Sequence, residues 1–227
     1  MLRHGKTEAN SAGRFIGQTD VPLSPQGEEQ LKQLHEEREY PAVQKVYTSP
    51  LIRCVRTAEL LYPGFEPTVI EDLREYDFGA YENKTAAEVV GDEAFMGWLR
   101  GGTAAETMED VHAFEARLID GFEQVLKDMM AKRLSSAAVI THGGVIMTLL
   151  AALGLPKRDP KLWITDNGHG YTVATSAQLW SQGRLVEVFD RLPYEEPEDE
   201  DSMDNETLRE YNLIDLVQDE DASEDAE

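Results

Sequence analysis

The chain has 227 residues, 41% of them hydrophobic, and a net charge of −23. That gives a globular protein with room for a sizeable core, and the acidity argues against a nucleic-acid partner, which needs clustered Lys and Arg. No apolar run approaches the ~20 residues that span a bilayer, no secretory leader is expected at the amino terminus, and the single Cys54 excludes an intrachain disulfide framework. A cytoplasmic location without membrane association is therefore expected, and Cys54, in an apolar helical stretch, reads as a buried, inert thiol.

Along the chain, Ser24-Pro25 opens a helix, with serine as N-cap and proline at the first helical position, running to about Glu39. Val43 to Thr48 predicts a strand, and Ser49-Pro50 repeats the start signal for a helix through Leu61. Thr68 to Ile70 is a short strand. A longer helix is expected from Thr107, with Asp110 completing a capping-box-like pair and an apolar stripe on Val111, Phe114, Leu118, Phe122, Val125 and Met129. Ala137 to Thr141 predicts a strand buried on both faces, turning at Gly143-Gly144 into an apolar helix that ends near Leu153. Gly154 and Pro156 supply its stop. Tyr171 to Trp180 and Arg184 to Arg191 read as paired strands joined at Ser181-Gln182-Gly183.

Strands alternating with helices predict an α/β domain over 1–194: a mostly parallel central sheet, helices on both faces and antiparallel edge strands. Residues 195–227 hold 16 acidic residues against one basic, Arg209, a net −15 that leaves −8 for 1–194. So acidic a stretch with few aromatics predicts a disordered, solubilising tail. The sharper alternative is a docking segment for a protein partner, with Leu208, Tyr211, Leu213, Ile214, Leu216 and Val217 as a short amphipathic helix.

Three loops follow strands, and each carries residues suited to an anion. They hold Arg3, His4, Thr7 and Asn10; Ser49 to Arg53; and Thr141-His142-Gly143-Gly144. In open α/β sheets ligands sit at the carboxyl ends of the strands, where glycines admit backbone amides and a helix start adds its positive end. Two arginines and two histidines there make a small cationic pocket in an acidic protein, which suggests phosphate.

Leu2-Arg3-His4-Gly5-Lys6-Thr7, Ser49-Pro50-Leu51-Ile52-Arg53, Leu73-Arg74-Glu75-Tyr76-Asp77-Phe78-Gly79 and Thr141-His142-Gly143-Gly144, in this order, resemble the histidine phosphatase superfamily, phosphoglycerate mutase-like branch. Phe15-Ile16-Gly17-Gln18-Thr19-Asp20 resembles the loop of α-ribazole phosphatase-type members. The resemblance implies a histidine acid-type phosphatase domain with a small helical cap insertion, acting on a small phosphorylated metabolite without metal or cofactor. It implies His4 as nucleophile, with Arg3, Arg53 and His142 clamping the phosphate oxygens. Asn10 adds an amide donor, Glu75 is the acid and then the base, and Thr7, Gly143 and Glu106 contact substrate. Glu106 equally suits a first-turn acid at a helix dipole. A buried apolar strand ahead of Arg-His-Gly is also implied; only Met1 and Leu2 stand there, so the first strand reads as truncated.

Other residues have plainer readings. His35 and His112 read as solvated or structural, His169 as part of a glycine-flanked turn, and Arg56 and Arg74 as surface ion pairs. Between Glu75 and Thr107 the only cations are Lys84 and Arg100, too few for the far end of a bisphosphate, which favours hydrolysis over phosphoglycerate mutase-type transfer. A non-catalytic phosphate-binding protein is the remaining alternative. Phe95, Met96, Trp98 and Leu99 suggest an organic phosphate with an apolar portion.

Overall fold

The computed structural model describes residues 1–100, 102–103 and 106–194. Among these, β1 (Leu2–Arg3), β2 (Val46–Thr48), β3 (Thr68–Val69), β4 (Ala138–Thr141), β5 (Gly154–Leu155), β6 (Gly170–Ala174) and β7 (Val186–Leu192) form one sheet, ordered β3-β2-β4-β1-β6-β7-β5. The pairs β1–β4, β2–β4, β2–β3 and β5–β7 are parallel, whereas β6 runs antiparallel to both β1 and β7.

The eight α-helices of these residues are α1 (Glu8–Ser11), α2 (Pro25–Glu37), α3 (Ile52–Leu61), α4 (Ala86–Val89), α5 (Glu93–Leu99), α6 (Val111–Lys132), α7 (Gly143–Leu153) and α8 (Ala177–Gly183). Strand side chains alternate between two cores, as the pleat requires. Leu2, Val46, Ala138 and Ile140 face the cluster with Leu31 of α2 and with Cys54, Ala58 and Leu61 of α3. Tyr47 and Val139 face the larger cluster with Phe114, Leu118, Phe122 and Val125 of α6 and with Ile146 and Leu149 of α7. The expected stripe on α6 is thus a core face from Phe114 to Met129, whereas Val111 in the first turn is exposed. The cap insertion is the pair of short helices α4 and α5, whose Val89, Phe95 and Met96 join the larger core.

Register sets the site. Leu2 and Thr48 both pair with Ile140, and Val69 pairs with Thr48, so the parallel strands β1 to β4 end at one level. His4 and His142 follow directly, one residue past their strands. β1, two residues long, lies between β4 and β6, and the Met1 amino group donates to the Tyr171 carbonyl at 2.7 Å. Burial lowers that amine to a pKa of about 5. A cavity of about 900 Å³ lies against Met1, walled by Val125, Met129, Val139 and Val173.

Three local expectations differ from the structure. Ser49-Pro50 does not cap α3, which starts at Ile52, because the Ser49 hydroxyl is engaged with His142. The helix expected from Thr107 starts at Val111, with Asp110 itself the N-cap, accepting from Ala113 N at 2.9 Å. The strand expected to reach Trp180 stops at Ala174; Ser176 caps α8 by accepting from Leu179 N, so β6 and β7 are joined by a helix. Residues 195–227, and with them the tail and its docking alternative, lie outside the described residues.

Candidate active site

His4 leaves β1 with its backbone pinned on both sides. Its N–H donates to Thr141 O at 2.9 Å, and its carbonyl accepts from Asn167 Nδ2 at 2.9 Å and from Gly168 N at 3.3 Å. Nδ1 lies 2.7 Å from Gly5 O. A carbonyl can only accept, so Nδ1 carries the proton and Nε2 keeps its lone pair. Burial, then the Arg53 and Arg3 charges, hold this imidazole well below its ordinary pKa. A neutral, oriented imidazole is what a nucleophile requires.

His142 stands beside it, ring centroids 5.2 Å apart. Its Nε2 is 2.8 Å from Ser49 Oγ, and burial followed by the Arg53 charge lowers its pKa as well. Cys54 Sγ lies 3.5 Å from the same ring nitrogen, but burial pushes the thiol up to about 12, so it stays a protonated, unreactive neighbour. Arg53 uses Nη1 and Nη2 on the carbonyls of Thr19 (2.9 Å) and Gly17 (2.7 Å), while its buried Nε has no hydrogen-bond partner among the described residues. Arg3 donates from Nη1 to Thr165 O at 2.9 Å.

Glu75 is 7% exposed. Tyr76 N donates to its Oε1 at 2.8 Å, and Gly144 N, at the start of α7, donates to its Oε2 at 2.9 Å. A Cβ at position 144 would lie 2.5 Å from Glu75 Oε1, so glycine is required for the carboxyl to reach the helix end. Burial raises the Glu75 pKa against the opposing pull of these two N–H groups and of Arg53 and Arg3. It therefore holds a proton further up the pH scale than an ordinary glutamate.

A cavity of about 710 Å³ opens over these groups. Arg3, His4, Asn10, Glu75, Gly143 and Gly144 form its floor, and Phe15, Tyr76, Phe78, Trp98, Phe114 and Met147 line its wall. The aromatic rings brace one another. Tyr76 stacks on Trp98 at 5.3 Å, and Phe78 meets both edge-on. Among the described residues no cluster of three or more His, Cys, Asp or Glu is grouped to hold a metal ion.

The model of the histidine phosphatase superfamily (branch 1) matches residues 1–187. The chain belongs to this superfamily. A Hydrogenobacter thermophilus protein named "Putative phosphoserine phosphatase 2" is 30% identical over 164 residues, which are 68% of this chain and 79% of the relative. The crystal structure of a phosphoglycerate mutase from Thermus thermophilus superposes with a TM-score of 0.59 at 32% identity, covering 86% of this chain and 97% of that one. The α-ribazole phosphatase from Shigella flexneri gives a TM-score of 0.68 at 22% identity, over 83% and 92%, and shares the fold.

Within this member of the superfamily the expected site residues fall into three groups. Arg3, His4, Asn10, Glu75 and Gly143 converge on the cavity floor. Arg53 and His142, 1% and 0% exposed, lie beneath that floor and are absent from its lining. Thr7 and Glu106 do not reach the cavity. The Thr7 hydroxyl caps α1 in a capping box with Asn10, and Glu106 is exposed, ahead of a helix that begins five residues later.

His112, read as solvated, stands on the cavity rim with Arg14 and Lys161. The turn carrying His169 positions the site, since the His169 carbonyl accepts from Arg3 N at 2.8 Å. Arg56 and Arg74 form the expected ion pairs, with Glu28 and Glu71. Sequence reasoning missed Arg117 of α6. It pairs with Glu109 and donates to the carbonyls of Asp72, Arg74 and Glu75, holding the segment that presents the acid. Its one signal was a charge next to Leu118 on the apolar stripe.

Proposed function

We propose that this chain hydrolyses a phosphomonoester through a phosphohistidine on His4. The observation that carries the reading is the pairing of a neutral His4, its Nε2 freed by the Nδ1–Gly5 carbonyl bond, with a buried Glu75 of raised pKa on the same cavity floor.

In the first step His4 Nε2 attacks phosphorus, the P–O ester bond breaks, and the Glu75 proton goes to the departing alkoxide. In the second, the Glu75 carboxylate takes a proton from water, the water oxygen attacks phosphorus, and the P–N bond breaks, returning His4 and releasing phosphate. Arg3 on the floor and Arg53 beneath it, its Nη1 and Nη2 held by backbone carbonyls, supply fixed positive charge where negative charge develops. The amide of Asn10, whose Oδ1 is held by Thr7, keeps its NH2 as a donor toward the floor.

Water as acceptor is favoured over a second phosphate ester because the wall opposite the floor is aromatic, and the cations near it, Arg14 and Lys161, stand at the rim. The substrate is a single phosphate on an organic group with an apolar surface.

In chelator-treated buffer, p-nitrophenyl phosphate should release phosphate, and His4→Ala should lower kcat by at least ~10³-fold at unchanged thermal stability. A phosphorus–nitrogen adduct trapped by acid-free quench in the parent and missing in the variant identifies the nucleophile. Undiminished turnover in His4→Ala rejects the reading.

A further inference from the structure

Glu82 has no place in the chemistry above, yet its carboxylate accepts from five donors. Gly17 N reaches both oxygens (3.0 and 3.1 Å), Gln18 N reaches Oε1 (3.1 Å), Thr19 N and Thr19 Oγ1 reach Oε2 (3.3 and 2.7 Å), and Phe78 N reaches Oε1 (3.1 Å). That uses the full accepting capacity of a carboxylate, all of it on two loops.

The first of these loops is the one that holds Arg53. Its Gly17–Gln18 peptide group lies between the two charges. The N–H donates to Glu82 Oε1, and the C=O accepts from Arg53 Nη2 at 2.7 Å. A peptide bonded to an anion on its N–H and to a cation on its C=O is polarised in one direction, and each bond strengthens the other. The Thr19 carbonyl accepts from Nη1 of the same guanidinium at 2.9 Å. Asp20 closes the loop onto the start of α3 by accepting from Ile52 N at 2.8 Å.

The second loop is the one that carries the acid. Phe78 N belongs to the run Glu75-Tyr76-Asp77-Phe78, and Gly17 packs on it so tightly that a Cβ there would lie 1.7 Å from Tyr76 O. One carboxylate thus fixes the clamp loop and the acid loop to each other.

We infer that Glu82 is a positioning residue, which sets the Arg53 guanidinium against the phosphate site through the Gly17–Gln18 peptide. The inference rests on the reading of the cavity floor as a phosphate site. Charge and length are both needed. Glutamine would present an amide NH2 to a ring of N–H donors and remove the anion that polarises the peptide. The inference assigns the effect to Arg53 rather than to the acid loop that Glu82 also holds, so the effect should disappear when Arg53 is absent.

The test is a double-mutant cycle of Glu82→Gln with Arg53→Ala, read as kcat/KM for p-nitrophenyl phosphate, together with calorimetric titration of the parent and of Glu82→Gln with inorganic phosphate. Glu82→Gln should lower kcat/KM and phosphate affinity by about tenfold or more in the parent, and change kcat/KM by less than about twofold in the Arg53→Ala background. A full tenfold loss in that background makes Glu82 a general structural support and overturns the inference. Unchanged kcat/KM and phosphate affinity in Glu82→Gln overturn it too. Should Glu82→Gln not fold, Thr19→Val, which removes one 2.7 Å bond to Glu82, replaces it in the same cycle. It should lower kcat/KM by about threefold in the parent and have no effect without Arg53; no effect in either background overturns the inference. A parent that binds no phosphate refutes the phosphate-site reading and this inference together, whereas a parent that binds it with Glu82→Gln unaffected refutes this inference alone.

Discussion

The two ends of the cavity are built on opposite principles. At the floor Arg3, His4 and Glu75 are each held by backbone groups: the Thr165 carbonyl, the Gly5 carbonyl and the Tyr76 and Gly144 amides. The wall is an assembly of rings, Tyr76 on Trp98 with Phe78 edge-on and Phe15 tilted against Phe78, held by packing. Directional charge chemistry needs groups fixed by hydrogen bonds to a rigid sheet edge, since an error of about 1 Å costs about a hundredfold in rate. Apolar recognition is non-directional and tolerates a surface that side chains from a loop insertion can supply. On the proposed function, the floor sets the reaction and the wall selects the leaving alcohol.

The comparison breaks first, and by the largest amount, at Glu75. Glu75→Gln should slow alkyl phosphates by ~10²–10⁴-fold and p-nitrophenyl phosphate much less, because an activated phenolate scarcely needs a proton. Steady-state kinetics over a leaving-group series checks this, and equal slowing across the series assigns Glu75 a binding role. The parent's activity on alkyl phosphates should also fall at high pH as Glu75 loses its proton, along a limb displaced upward from the ordinary glutamate range and missing in the variant.

A smaller effect is expected at the wall. Trp98→Ala removes a half-buried ring from the stack with Tyr76, worth ~1–3 kcal/mol of apolar contact to an aryl substrate. KM for an aryl phosphate should rise about tenfold, while the affinity for inorganic phosphate, measured by product inhibition, stays unchanged. Parallel weakening of both would mean that wall and floor are not separable.

The smallest effect is on stability. His4 and His142 are held neutral, with folded-state pKa values lowered from the ordinary histidine value. The unfolded chain binds more protons there, so this contribution is full above pH ~6.5 and is lost as pH falls below it. Glu75, raised, acts in the other sense: its contribution is full below the ordinary glutamate range and is lost as pH rises through the folded-state value. Two imidazoles outweigh one carboxyl between pH ~5 and ~6, so these three groups together should make stability rise with pH there. His142→Gln should flatten that slope by up to about 1 kcal/mol per pH unit in urea unfolding. An unchanged slope would mean that His142 is protonated in the folded protein.

The elements with the plainest local signals were legible in the chain. Ser24-Pro25 starts α2 with serine capping Gly27 N, and the apolar run 138–141 is a strand buried along its length. The floor was legible for the same reason, because Arg3 and His4 at the end of one strand and Gly143 and Gly144 after another stand at a level set by parallel register. Where local signals competed, tertiary structure chose. Ser49-Pro50 has the form of a helix start, but His142, 93 residues away, takes the Ser49 hydroxyl. The run from Tyr171 opens on β-forming residues and reads on to Trp180, yet Ser176 caps a helix inside it. What only the tertiary structure decided is the layer behind the floor: the sinking of Arg53 and His142 beneath His4, the reach of Arg117 onto the Glu75 segment, and the lodging of Glu82 between two loops. Arg53, Arg117 and Glu82 reach backbone groups 34 to 65 residues away in sequence and His142 reaches a hydroxyl 93 residues away, and no local pattern encodes such a partner, because a backbone carbonyl or amide looks the same at every position until the fold points it somewhere.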